Sequence, residues 1–401
     1  MQSSFVGGDG LQTSRLLKPL ILLWLAGIAL RVTILAVPPV IPLIHDDLHL
    51  SETQVGLLIG LPLVLFALAA VPGSLLIARF GAGLTMIIGL VVTAAASAGR
   101  GAASGVLTLY AATMLMGFGI AIMQPALPTL VRAWLPHRVG LGTAVSTNGM
   151  MLGVAMAPAL TIPFVLPMVG NSWRLDLLVW STPVLAAAAL FLVLAPGDLR
   201  REVRPSAANN RKWWPDWNDP LIWFLGLTFG SNNALYHGVN AFLPDYLNSV
   251  GRGDLIGPSI GWLNGAQLLA SFVLLATADR LHRRAWPYLV FGPLTLAGVL
   301  GVLLGSGTWV VFSAGLVGFA LAVTFVLTFA LPPVLSRPDD VHRMVGGMFT
   351  ISYSCAVIIP ILCGAFWDLT GIPWTAFLPV GLCGITLTGL GLMLSLRARA
   401  G

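Results

Sequence analysis

Twelve apolar runs, each about as long as a bilayer core is thick, follow one another along this chain. A helix crossing the hydrocarbon core needs roughly 20 mostly apolar residues. Runs of that kind lie at 18–44, 53–78, 84–103, 105–134, 139–168 and 173–195. They resume at 219–249, 255–278, 285–305, 308–335, 343–367 and 372–396. The expected fold is an all-α membrane protein, with twelve transmembrane helices in two pseudo-symmetric six-helix bundles. Composition leaves little room for another class. Of the 401 residues, 57% are hydrophobic and 9% charged, against about 25% charged in a soluble domain.

The one long polar interruption is Gly197–Asn218, GDLRREVRPSAANNRKWWPDWN. It divides the chain into a tail (1–17), a first bundle (18–196), a linker (197–218), a second bundle (219–396) and a short tail (397–401). Trp213, Trp214 and Trp217 are expected to mark an amphipathic segment at the membrane surface. No cleavable signal is evident, because the first apolar run is too long for a signal core and lacks a clear cleavage site.

The net charge of +6 does not read as nucleic-acid binding, because the basic residues sit in short loops between apolar runs. With a cytoplasmic N-terminus, seventeen of the 21 Lys and Arg fall on the inner side. Only Arg100, Arg174 and Arg252 fall outside. That asymmetry places both termini in the cytoplasm of a multi-pass inner (plasma) membrane protein.

The remaining basic residue, Arg31, lies near the middle of the first run. A charge at that depth costs a few kcal/mol or more, so it is expected to face the protein interior. The acidic residues test whether it has a counter-ion. Asp176 and five other carboxylates read as outer loops, eight read as inner, and Asp245 lies near the outer end of the seventh run. None is expected at the depth of Arg31. Its planar guanidinium is then available for a carboxylate-like or other small oxyanion. The alternative is a purely structural role, bonding carbonyls or pairing between helices.

The seventh run carries Asn232, Asn233, Tyr236, His237 and Asn240 within about 140° of arc at 100° per residue. Such a stripe faces a solute pathway or bonds neighbouring helices. His237 is either a proton carrier near neutral pH or a packed histidine. Asn264 and Gln267 on the eighth run, Gln124 and Asn148 on the fourth and fifth, and Tyr353 with Phe325 or Phe329 are further lining candidates. Gly149, Gly153 and Ala157 make a small-xxx-small ridge suited to close packing or to a flexible gating helix. Cys355, Cys363 and Cys383 read as small buried hydrophobes. No Walker A loop, nucleophile–base pair or metal-ligand spacing is present, so no enzyme activity, cofactor or metal is expected.

The loops carry a recognisable pattern. Gly73-Ser-Leu-Leu-Ile-Ala-Arg79-Phe-Gly81 resembles the Gly-x3-Asp-Arg-x-Gly signature of the major facilitator superfamily. Ala278-Asp279-Arg280-Leu-His-Arg283-Arg284 stands at the equivalent place in the second half, as a duplicated unit predicts. The resemblance implies that Arg79, Asp279 and Arg280 take part in conformational latching, although Ala78 replaces the signature Asp. Leu30-Arg31 through Val37-Pro38-Pro39 to Pro42 is similar to the cyanate/2-nitroimidazole permease family. Glu52 to Gly81, Gly117 to Pro136 and the Phe242-Leu-Pro244 ending of the seventh run are also similar. This resemblance implies a monomeric secondary or facilitative transporter of a small anion or compact polar solute, working by alternating access. Its partners would be that solute, the lipid bilayer, and either protons or a counter-anion. An exporter of drugs or metabolites with the same fold is the alternative.

Overall fold

The computed structural model describes residues 8–50, 52–194, 213–281 and 284–400. Residues 1–7 of the N-terminal tail, 51, 195–212 (with most of the linker), 282–283 and the last residue lie outside that set. Every long element is a helix. They are α1 (Gly8–Leu35), α2 (Glu52–Phe80), α3 (Ala82–Gly101), α4 (Val106–Trp134), α5 (Val139–Leu160) and α6 (Trp173–Leu194). The second half has α7 (Pro220–Ser249), α8 (Ile256–Leu281), α9 (Trp286–Leu304), α10 (Thr308–Phe329), α11 (Val341–Thr370) and α12 (Leu378–Ala400). Helices dominate because an apolar solvent offers the backbone no hydrogen bonds, so each segment must satisfy itself.

Ten stretches among the described residues are long and apolar enough to cross a membrane. Neither α7 nor α12 is among them. The polar stripe of α7 dilutes its hydropathy. In α12, side chains are described only as far as residue 389.

The chain forms two compact units, divided between Trp213 and Trp214, with Phe66–Val71 of α2 counted in the second. Within the first unit α1 packs on α5 and α6, and α3 packs on α4 and α6. Within the second, α7 packs on α11 and α12, and α9 on α10 and α12. Shifting each helix number by six converts one set of pairs into the other. The pairing of α2 with α4, through Gly73 against Ile122 and Pro125, has its counterpart in α8 with α10. A repeated pairing scheme is what a duplicated six-helix unit produces.

Residues 213–219 form turns rather than a helix. The Ser74 hydroxyl donates to the Trp213 carbonyl in the first unit (2.5 Å), and Arg343 Nε donates to the Trp214 carbonyl in the second (2.9 Å).

One local feature bears on the site. α1 stops at Leu35 and is followed by a 3-10 turn, Pro38–Val40, and a short helix, Ile41–Leu48. Pro38 has no N–H to give the Ile34 carbonyl. Val37 N, which would serve Thr33 in a continuing helix, donates to Ile34 O instead (3.4 Å). Among the described residues the Thr33 carbonyl has no backbone donor, two residues before the helix stops at Leu35.

Candidate functional site

Arg31 sits one turn before that break and is partly buried. Its position is set by contact between α1 and α5. A Cβ at Gly149 would overlap the Trp24 carbonyl oxygen, and one at Gly153 would come within 2.7 Å of Ile28 O and 3.3 Å of the Arg31 Cβ. From the α1 side, a Cβ at Gly27 would overlap the Ser146 carbonyl oxygen. The ridge expected from the sequence is therefore the seat on which α1 rests. Trp24 Nε1 donates to Asn148 Oδ1 (3.0 Å), which fixes the rotation of the same pair. Among the described residues, no hydrogen bond or ion pair engages the Arg31 guanidinium. Gln124, buried on α4 before Pro125, also has no hydrogen-bond partner among them.

Two residues depart from the sequence reading. The sequence places Arg100 and Asp176 in outer loops, but both are buried inside the first unit, at 1% and 0% exposure. The buried carboxylate that the acidic inventory did not place therefore exists. Arg100 Nη2 donates to the orphaned Thr33 carbonyl (2.8 Å) and to Ser97 Oγ (2.9 Å). It closes the break in α1 two residues from Arg31. Arg100 lies at the end of an apolar run, where chain arithmetic assigns a charge to a loop. The available signal was Ser97, one turn earlier on the same face.

In the second unit the polar stripe of α7 divides among three neighbours. Asn232 Nδ2 donates to Leu321 O (3.0 Å) and Thr324 Oγ1 (2.6 Å) of α10. Asn233 Nδ2 donates to Ser352 Oγ of α11 (2.7 Å). Between them, Tyr236 OH donates to Asn264 Oδ1 (2.9 Å) on α8, and Asn264 Nδ2 donates to Asn240 Oδ1 (3.1 Å). Gln267 Nε2 also reaches Asn264 Oδ1 (3.2 Å). Tyr236, Asn240, Asn264 and Gln267 thus form one network, with Asn264 at its hub. Asn264→Leu would strip these bonds together. At about 0.6 kcal/mol per interhelical bond in a membrane, it is expected to lower stability by about 1–2 kcal/mol, read as a lower thermal midpoint in detergent.

His237 packs edge-on against Tyr236 at 5.2 Å. Tyr353 stacks on Phe349 at 5.7 Å, and Phe349 meets Phe329 and Phe229. Phe325 joins through Phe229 at 4.8 Å. The aromatic wall is thus larger than the two or three rings expected from sequence. At the helix ends, Arg79, Asp279 and Arg280 are exposed, while Ala78 is buried. Among the described residues no group of three His, Cys, Asp or Glu is placed to hold a metal ion.

A duplicated set of helices, with ten stretches among the described residues long and apolar enough to cross a membrane, has the architecture of a multi-pass membrane transporter. The chain belongs to the major facilitator superfamily, whose family model matches residues 23–354. It is 27% identical over 369 residues to the 2-nitroimidazole transporter of Escherichia coli (strain K12), covering 90% of each chain. It is 24% identical over 379 residues to the cyanate transport protein CynX of the same organism, covering 92% of this chain and 96% of that one. Among solved structures, a variant of the E. coli fucose:proton symporter FucP superposes with a TM-score of 0.74 at 13% identity. That match covers 94% of this chain and 98% of the other and shows the shared fold. The family makes the protein a transporter rather than an enzyme.

Proposed function

We propose that this transporter carries a small anion, or an equally compact electron-rich solute, by alternating access, and that Arg31 binds it. Cyanate, nitrate, short carboxylates and 2-nitroimidazole are the solutes that fit. One observation carries the reading: Arg31 is a permanently charged fork inside an apolar helix, and no described residue accepts from it or neutralises it. Holding such a charge unpaired costs a few kcal/mol, and an anionic ligand removes that cost while using the fork bidentately. The two relatives, whose names specify 2-nitroimidazole and cyanate, support a solute of this size. In the first unit Gln124 is the neutral donor that helps orient it; in the second unit Asn232, Asn233, Tyr236, His237, Asn240, Asn264, Gln267 and Tyr353 are the candidate solute-facing groups. Both termini lie on the cytoplasmic side, the protein acts as a monomer, and Arg79, Asp279 and Arg280 serve the conformational change.

Thermal-shift titration of the purified protein tests the reading. Cyanate, nitrate, acetate and 2-nitroimidazole should each raise the midpoint saturably, by about 2.7 kcal/mol of stabilisation at a hundredfold excess over Kd. Urea and glycerol should do nothing. Saturable stabilisation by lipophilic cations, with no response to the anions, would overturn the proposal in favour of a drug exporter.

A further inference from the structure

The buried carboxyl of Asp176 has no place in the solute site just described, yet it is fully enclosed in the first unit. Among the described residues no donor meets hydrogen-bond geometry at either of its oxygens, although Trp180 and Thr161 approach it, and Arg100 Nε and Thr33 Oγ1 are buried and unmatched as well. Its polar neighbours are Thr161 and Trp180, which are joined to each other by a bond from Trp180 Nε1 to Thr161 Oγ1 (2.8 Å). Arg100 lies near it but outside ion-pair distance: the only ion pairs within 4.0 Å among the described residues are Arg174–Asp47 and Arg343–Asp340. The guanidinium is committed instead to Thr33 O.

We propose that Asp176 is a proton-binding site coupled to solute movement, and that Arg100 transmits its state to α1. With the proton on, the carboxyl is neutral and Arg100 stays on the Thr33 carbonyl, the arrangement seen here. With the proton released to solvent, the carboxylate draws the guanidinium toward itself, and Thr33 O loses its donor at the break beside Arg31. An uncompensated buried charge is expensive, so the swap follows the proton. The coupling part of this inference rests on the reading of Arg31 as the solute-binding residue. The protonation part does not.

Among the described residues, Arg100 is the one charge that faces Asp176. Helix α3 contributes Arg100, its only charged residue. Helix α1 contributes Thr33, and the Arg31 side chain, two residues earlier, points to the opposite side of that helix at 100° per residue. The π-turn Thr161–Val165 contributes Thr161. On α6 itself the nearest charge is Arg174, which is paired with Asp47.

Two measurements on the full-length protein in proteoliposomes test the proposal. Infrared titration should show a protonated-carboxyl band that disappears reversibly with rising pH, is lost in Asp176→Asn and changes its midpoint in Arg100→Gln. An acid-outside gradient should drive 2-nitroimidazole above its equilibrium level several-fold in the wild type. In Asp176→Asn the gradient should drive none, while exchange at equal pH persists. Asp176→Asn with Arg100→Gln removes both charges and serves if the single variant does not fold. A titrating band that survives in Asp176→Asn, or gradient-driven accumulation that survives with it, overturns the proposal. If the wild type does not transport 2-nitroimidazole at all, the solute assignment fails, and the infrared titration still decides whether Asp176 binds a proton.

Discussion

Replacing Arg31 with alanine is expected to weaken solute binding severely while leaving the fold intact or slightly more stable. Removing one member of a desolvated charge pair costs about 2–5 kcal/mol, so anion affinity should fall by roughly 30-fold or more. Arg31→Lys retains the charge without the planar fork and should lose about tenfold. Stability should move the other way, because no described residue depends on this guanidinium for a hydrogen bond. The contrast with Arg100 is direct. Arg100→Met would leave the Thr33 carbonyl without its buried donor, and an unsatisfied buried acceptor costs about 1–3 kcal/mol. Thermal unfolding and ligand titration of the same two preparations check both statements. An Arg31→Ala protein that keeps wild-type affinity would remove the basis of the functional proposal.

Alanine at Gly149 or Gly153 is expected to destabilise the protein and to weaken solute binding together. In an ordinary helix, Gly→Ala stabilises by up to about 1 kcal/mol. Here the added carbon meets backbone atoms, the Trp24 and Ile28 carbonyls, which no rotamer change can move aside. α1 would have to lift off α5, at about 1–3 kcal/mol for overpacking, and Arg31 would move with it. Gly60→Ala provides the control, because nothing lies within 4 Å of the new carbon and the usual helix preference should prevail. If all three variants unfold at the same midpoint, the α1–α5 seat is not the constraint described here.

Much of the fold is legible from the sequence because a bilayer is an unforgiving solvent. Each crossing has to announce itself as a long apolar run, and a charge such as Arg31 stands out against that background. The same logic obscured Arg100 and Asp176. Both lie near the ends of apolar runs, where a charged residue ordinarily reaches water, and only the packing of α3 and α6 against α1 shows that these two do not. The stripe on α7 shows another limit. Spacing puts Asn232 and Asn233 on one broad face, yet adjacent residues point 100° apart. They consequently bond α10 and α11 separately, while Tyr236 and Asn240 turn to α8. Periodicity can identify a polar face, but the identity of each neighbour is a tertiary fact. The Gly149/Gly153 spacing was likewise visible, while its partner helix was not.

The break in α1 has a kinetic consequence. In an unbroken membrane helix, freeing a carbonyl requires unwinding, a local-unfolding event on the microsecond-to-second scale. At Thr33 the donor comes from a side chain on another helix, so the elementary step is rotation about the Arg100 χ angles with the backbone unchanged. The joint beside Arg31 is therefore one whose setting can change at the pace of side-chain motion, without waiting for the chain to open.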